Sequence, residues 1–381
     1  MEEIRGKENL MIHKPLENRH PDGIAAYKKV SSMTKNMPIT HLGTQGFKID
    51  GDWFIPQKWR FSYVLSPNIS NQGALFRGEA FDLDEKGNIP LKLSKYQLDR
   101  TDSIRRAYNR LRWFDLRRLL DTNPMYRMLC RGIRYHHNRD TIFRLSFSSL
   151  LHSYGVPSSY VSLTSDLKTA LFYAVTDYDE DLRKFVPTKK KYGILSSYEL
   201  KTPITSVSRV MPLGLQVFER PGLNKEFLCR LVRDEDYYSL PYVEGYMFMQ
   251  EEKVSRMLLE EFENGWKLCP PDDILADRIK LSEGVVSKSA LKFLERMYSH
   301  SRLSLDEVRD HFKVVENLDE YKYYFSFTKE ELEMYYSNID YWWYQFCSKI
   351  YFDAAPEIDE SLLMNLPYDS IYSRYFRQCQ L

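Results

Sequence analysis

Residues 151–175, LHSYGVPSSYVSLTSDLKTALFYAV, hold a turn, a short strand, a hydroxyl-rich junction and a helix in succession. Gly155 and Pro157 punctuate the turn. Tyr160, Val161 and Leu163 give 160–163 the aromatic and β-branched character of a strand. Thr164, Ser165 and Asp166 then offer side-chain oxygens that can accept from the first free N–H groups of a helix. Leu167, Ala170, Leu171, Ala174 and Val175 recur at i, i+3, i+4, i+7 and i+8, which is one apolar helix face. Two readings stay open at this junction. The helix start is an ordinary cap on a helix packed against a sheet, or its N–H groups, beside the Ser/Thr cluster, receive an anionic group.

The rest of the 381-residue chain leaves room for one large domain or two to three smaller ones. A composition of 43% hydrophobic and 28% charged residues is that of a globular protein rather than a disordered one. The net charge of +1 gives no overall steer toward nucleic acid or membrane, and 28 tyrosines point to packed aromatic clusters. The opening MEEIRGKENL lacks the apolar core of a secretory signal, and no apolar run approaches the ~18 residues of a spanning helix. Cys130, Cys229, Cys269, Cys347 and Cys379 are dispersed and form no CxxC pair, so neither a zinc ribbon nor a disulfide framework is expected. A soluble, reducing, cytoplasmic setting without a membrane partner is the expectation.

Three intervals follow from the pattern. Residues 1–45 are polar and interrupted by Pro15, Pro21 and Pro38, and read as an N-terminal arm, ordered in part at most. Residues 46–252 read as an α+β domain. Within it, 53–70 supplies a strand or docking segment, 75–79 a strand ending at Arg77, 82–95 a loop and 104–120 an amphipathic helix. Residues 177–191 place acids before bases and read as a solvated loop. Short runs at 193–199, 204–210, 227–232 and 243–249 suggest a curved or split sheet, and the lack of clean βαβ alternation argues against a doubly wound fold. Residues 253–381 read as a helical, aromatic-rich C-terminal subdomain, with capping boxes at 304–307 and 328–331. The eleven aromatics of 321–344 suit packing against the sheet, or alternatively a stacking platform or partner surface.

Residues 100–144 contain twelve arginines and no lysine against four aspartates, an excess able to attract an anionic partner such as a nucleic acid or nucleotide phosphates. The alternative is a solvated helix face whose arginines pair with the acids of 177–181. There is no GxSxG, Walker A, HExxH or kinase signature. His136 and His137 lack carboxylates at metal-ligand spacing, so no metal is expected there. His152, beside the organising turn, is a candidate buried and hydrogen-bonded histidine.

Phe76-Arg77-Gly78, then Tyr154-Gly155-Val156-Pro157, Ser162-Leu163-Thr164 and Ala170-Leu171-Phe172-Tyr173-Ala174 together resemble the FRG domain family, named for its Phe/Tyr-Arg-Gly motif. A third element, Leu213-Gly214-Leu215-Gln216-Val217-Phe218-Glu219-Arg220-Pro221-Gly222, follows in the family's order, and the resemblance covers residues 75–235. The chain departs from the family in Ser158-Ser159 after the proline and in Ser162, where relatives carry an Asp. It also has Asn224 where a Gln often follows the Arg-Pro-Gly. That family's layout is similar to ADP-ribosyltransferase folds. The resemblance therefore implies a split or curved sheet and NAD as substrate, in an enzyme that modifies a protein or nucleic-acid acceptor as a toxin or antiviral effector. It implies Arg77, Gly78, Tyr154, Ser162, Thr164 and Ser165 as NAD-binding positions, with Arg77 on the pyrophosphate or ribose. Glu226, or Gln250 and Glu252 in a Gln-x-Glu pattern, would supply the late catalytic group. The rival reading is a non-catalytic sensor or adaptor that binds a nucleotide-like ligand or a protein partner in the same cleft. For Gln250 and Glu252 the alternative is an acid-rich helix start, and for Arg77 a structural ion pair.

Overall fold

The computed structural model describes residues 19–35, 46–49, 52–59, 62–67, 74–85, 87, 103–123, 126, 133–135, 139–142, 147–158, 160–198, 210–212, 218–230, 243–297, 305–337 and 351–353. In chain order, the first part holds β1 (Arg19–His20), α1 (Gly23–Thr34), β2 (Gly46–Ile49), β3 (Asp52–Trp59), β4 (Ser62–Pro67), β5 (Leu75–Phe81) and α2 (Ser103–Asp121). The middle holds β6 (Ile133–Tyr135), β7 (Arg139–Ile142), α3 (Phe147–Ser153), β8 (Tyr160–Thr164), α4 (Leu167–Val175), β9 (Thr176–Asp179), β10 (Lys184–Pro187), β11 (Tyr192–Tyr198) and β12 (Val210–Pro212). There follow α5 (Glu219–Leu223), β13 (Glu226–Arg230), β14 (Val243–Met249), α6 (Glu252–Glu261), α7 (Ile274–Leu281), β15 (Val285–Ser287) and α8 (Lys288–Met297). The last elements are α9 (Leu305–His311), β16 (Lys313–Val315), α10 (Leu318–Phe325), α11 (Lys329–Ser337) and β17 (Tyr351–Asp353). The architecture is α+β, with strands that pair mostly antiparallel. No helix among the described residues is long and apolar enough to cross a membrane.

The sheet that positions the site runs β1-β14-β11-β5-β8-β13-β12. A second sheet runs β17-β2-β3-β4-β7-β6, and its β3 and β4 overlap the 53–70 segment. In the first sheet β5 pairs with β11 along its full length, from Leu75 opposite Tyr198 to Phe81 opposite Tyr192. Likewise β8 pairs with β13 from Tyr160 to Thr164. Between β5 and β8 the register holds at one pair, Phe76 opposite Thr164. The sheet is therefore split at this seam into two halves joined at one point.

Helix α4 closes over the β5 side of the seam. Asp166 caps it, accepting from Lys168 N at 3.3 Å, and its other oxygen accepts from the Thr169 hydroxyl at 2.8 Å. Leu167, Ala170, Leu171, Ala174 and Val175 are all buried, and so are Thr169 and Phe172, so the apolar face extends almost around the helix. Gly78 makes this packing possible. A Cβ there would stand 1.6 Å from the Ala170 carbonyl oxygen, so the α4 backbone lies directly on β5. Arg77 is the third of seven residues in β5, not its end, because the strand continues through Glu79 to Phe81.

Within the N-terminal arm, residues 19–35 pack on the main domain: β1 adds to β14 in parallel, and α1 buries Ala26 and Val30 in the core formed with α4, β14 and α6. Pro21 precedes the cap Asp22, which accepts from Ala25 N at 2.8 Å, so the proline lies outside the helix and interrupts none of its hydrogen bonds. Residues 176–187 form a β-hairpin rather than a solvated loop, with Thr176–Asp179 paired to Lys184–Pro187. Asp179 Oδ1 accepts from the N–H groups of Asp181 and Leu182 in its turn. Phe185 anchors the hairpin, packing edge-on against Phe172 at 4.9 Å.

Helix α2 lies within the 46–252 interval yet packs among the C-terminal helices. Its Ala107 and Leu111 join Val286, Ala290, Leu291 and Leu294, and its Leu116, Leu119 and Leu120 join Leu150, Leu151, Leu275 and Ile279. Asp115 pins the contact, accepting from Ser287 N at 2.8 Å and the Ser287 hydroxyl at 2.5 Å, while Ser287 Oγ accepts from Ala290 N at the start of α8. Burial pushes the Asp115 carboxyl up to about 6 against the pull of these bonds. On the same helix Arg112 is buried and donates to Ile279 O at 2.9 Å, whereas Arg110, Arg117 and Arg118 are exposed. At α11 the capping box forms in both directions, Glu331 N donating to Thr328 Oγ1 and Thr328 N to Glu331 Oε2. His136, His137, Ser304 and the 204–209 and 338–344 segments lie outside the described residues.

Because backbone and not a flexible side chain opposes the added atom, Gly78→Ala is expected to cost roughly 3 kcal/mol or more. Thermal unfolding of the purified variant measures it, and a melting curve that overlays the wild type would contradict the close approach of α4.

Candidate functional site

The split seam gathers ionisable groups that are distant in sequence. Arg77 reaches from β5 across the break and donates from one terminal nitrogen to Ser162 O on β8 at 2.7 Å. Its other terminal nitrogen pairs with Glu79 on its own strand, and both side chains are about nine-tenths buried. The second Glu79 oxygen, Oε2, is buried and accepts no hydrogen bond among the described residues. On β13, Glu226 is buried and accepts from the Ser162 hydroxyl at 2.5 Å. At the end of α3, Ser153 adds a second hydroxyl to Glu226, and the preceding His152 is buried with Nδ1 2.8 Å from Ser158 Oγ.

Burial sets the charge states. It raises the Glu226 carboxyl to about 7, while the Ser153 and Ser162 hydroxyls and the Arg77 charge pull the other way. Burial, followed by the nearby Arg77 charge, lowers His152 to about 3, so this ring is neutral at physiological pH. The seam thus holds one permanent cation, a carboxylate poised near neutrality and a neutral imidazole. Titratable groups perturbed in this way are common at functional sites.

The structure separates the candidate residues by role. Arg77, Ser162 and Glu226 come together. Thr164 is spent on the backbone: its hydroxyl donates to Asn224 O at 2.8 Å and accepts from Asp166 N at 3.0 Å. Ser165 contributes its N–H to Lys225 O at 3.2 Å. Gly78 is filled by the α4 backbone. Tyr154 lies in the adjacent core beneath the guanidinium of Arg220, 4.9 Å from its ring centroid.

Gln250 and Glu252 are elsewhere. Arg77 is opposite Ser196, which is opposite Gly245, and Gln250 lies five residues further on, about 16 Å along the strand. There the Gln250 side chain donates to Ala174 O at the far end of α4, and exposed Glu252 pairs with Arg256 one turn along α6. Of the late acidic candidates, Glu226 alone joins Arg77 and Ser162.

Sequence reasoning did not single out Glu79, Ser153 or Arg220 as site residues. Glu79 at i+2 from Arg77, on the same strand face, was the available signal. Ser153 and Arg220 depend on contacts that only the fold creates. No group of three or more His, Cys, Asp or Glu side chains placed to hold a metal occurs among the described residues. Comparison with protein-family models, with curated proteins and with solved structures finds no match.

The Glu226 charge gives a testable pH dependence. Its folded-state value lies above its ordinary 4.5, so its contribution to stability is fully present below about 4.5 and is lost as pH rises through about 7. The loss is about 3 kcal/mol. In Glu226→Gln that loss disappears, so the variant gains on the wild type progressively between about pH 4.5 and 7. Denaturant melts across this range read the difference, and a gap independent of pH would contradict the burial of Glu226. Replacing His152 acts in the opposite sense. Its depressed value supplies stability above about 6.5 that is lost as pH falls toward 3.

Proposed function

We propose that the protein is an NAD-consuming enzyme, similar to ADP-ribosyltransferases, that transfers ADP-ribose to a macromolecular acceptor from a site built on Arg77, Ser162 and Glu226. One observation carries the reading: Ser162 on β8 donates its hydroxyl to Glu226 on β13, and Arg77 on β5 holds the carbonyl of that same serine. Three positions separated by 64 and 85 residues in sequence thereby converge on one seam. The split of the sheet at that seam, together with the Phe-Arg-Gly resemblance, supports an ADP-ribosyltransferase-like layout.

The chemistry suits these groups. Cleavage of the nicotinamide–ribose bond sends the C1′–N electron pair to the departing ring, which leaves as neutral nicotinamide. The oxocarbenium ion left at C1′ is stabilised by the Glu226 carboxylate, which works at greater strength in a buried setting than in water. The acceptor's nucleophile then bonds to C1′ and its proton passes to Glu226. A carboxyl near 7 is well matched to that exchange at neutral pH. Ser162 fixes the carboxylate's direction, and Arg77 fixes the strand carrying Ser162. With Ser162 where the Phe-Arg-Gly resemblance leads to an Asp, Glu226 is the acid bonded to that position.

A second reading draws on a different observation. Arg77 and Glu79 are already paired and buried, as they would be in a non-catalytic binding domain whose seam is held by a polar staple. The two separate on turnover. The first expects nicotinamide release from NAD, a fall on the order of 100-fold in Glu226→Gln and a smaller fall in Ser162→Ala, with both variants folded. If adenine-labelled NAD passes no label to any component of a cell extract and no nicotinamide is released, the enzymatic reading fails and the binding-domain reading stands.

A further inference from the structure

The guanidinium at the seam is not available to a substrate anion, because Arg77 is committed to Ser162 O and Glu79. A second buried guanidinium lies one short connection away. Arg220, on the single turn of α5, places its Cζ over the Tyr154 ring at 4.9 Å from the centroid, and its Nε donates to Asp273 Oδ2 at 2.9 Å. Asp273 is itself fixed as the cap of α7, its other oxygen accepting from Ala276 N at 3.1 Å. The Arg220 side chain is 13% exposed and that of Asp273 is 8% exposed, so the pair is held almost entirely inside the protein. With the Tyr154 ring on one side and the Asp273 pair at Nε, the two terminal nitrogens of Arg220 make no hydrogen bond among the described residues.

The route from Arg220 to Glu226 is short and stiff. Asn224 Nδ2 donates to Arg220 O at 2.7 Å and to Leu268 O at 3.0 Å, which locks the turn that leads into β13. Asn224 Oδ1 accepts from the Tyr173 hydroxyl. Tyr173 and Cys269 are both held protonated, first by burial, and both feel the charges of Arg220 and Glu226. Asn224 thus ties the Arg220 turn to Tyr173 two residues before Glu226 begins β13.

We propose that Arg220, with its terminal N–H pair, is the anion-binding residue of this cleft and takes the phosphate or diphosphate group of a nucleotide-like ligand. A planar guanidinium buried over an aromatic ring and held at Nε by an ion pair presents its remaining donors as a fork, which matches two phosphate oxygens and costs little ordering when the ligand arrives. Resting on the NAD reading above, the diphosphate sits at Arg220 and the ribosyl carbon to be attacked lies toward Glu226. Arg77 then has a positioning role through Ser162 and does not touch the diphosphate.

The test is calorimetric titration of the full chain with ADP-ribose and with inorganic pyrophosphate. Wild type binds both. Arg220→Gln weakens both on the order of 10- to 100-fold, and Arg220→Lys, which keeps a charge beside Asp273 but loses the fork, weakens them less. Arg309→Gln, remote and exposed, binds as wild type does. Melting temperatures without ligand establish that each variant is folded, and should Arg220→Gln fail to fold, Arg220→Lys decides. Wild type that binds neither probe, or a folded Arg220 variant that binds both unchanged, overturns the assignment. Failure of the NAD reading looks different: ADP-ribose binding stays dependent on Arg220 while NAD is never cleaved. In the converse case, with NAD cleaved by wild type and KM unchanged in Arg220→Lys, the anion site falls and the enzyme remains.

Discussion

The bond from the Arg77 guanidinium to the Ser162 carbonyl is the contact on which the arrangement depends. A sheet normally satisfies its strands' polar groups by laddering, and here the ladder stops after Phe76 opposite Thr164. An arginine on β5 supplies a side-chain donor where backbone donors have drawn apart. Glu79 holds that arginine from behind, and a charged group so deeply buried would be costly without such a partner. The β8–β13 ladder places Ser162 beside Glu226, and this link ties that pair to β5.

The polar groups of the seam differ from those that only brace the fold. Asp115 and the Arg278–Glu331 pair are also buried or nearly so, but each is satisfied by partners on the element it joins. At the seam a carboxyl with a value near 7, a neutral histidine and a buried carboxylate oxygen without a bond lie within reach of one guanidinium. Packing alone does not call for that combination, and an apolar filling of the same volume would often serve stability as well or better. The proposed binding and proton transfer would give each of these groups a use.

Local signals in the sequence carried the elements that rest on local physics. The capped helix 167–175, the strand 243–249 and the long helix begun at 103 are set by periodicity, caps and side-chain branching within their own residues. The hairpin at 176–187 was hidden because one buried aromatic, Phe185, carries its packing among charged neighbours. Helix α1 was hidden because a proline just before a cap and a proline inside a coil look alike without the tertiary contacts of Ala26 and Val30. For the site, Arg77 and Ser162 were legible from motif and position, whereas the choice among Glu226, Gln250 and Glu252 needed strand register. Three acidic or amide residues at strand ends are equivalent until the sheet order separates them by some 16 Å. Arg220 depended on Tyr154 and Asp273, both far away in the chain.

The glycine at position 78 has a mechanical consequence. It seats α4 on β5, yet α4 follows β8 through only Ser165 and Asp166, so the Thr164 end of β8 is tied to the opposite half of the sheet. The two halves therefore behave like covers bound along a spine at Thr164, with Arg77 as the clasp two residues away. Any parting of the covers is smallest at Thr164 and grows toward Tyr160, and it draws Arg77 from Ser162 while Ser162 and Glu226, on the same half, stay paired.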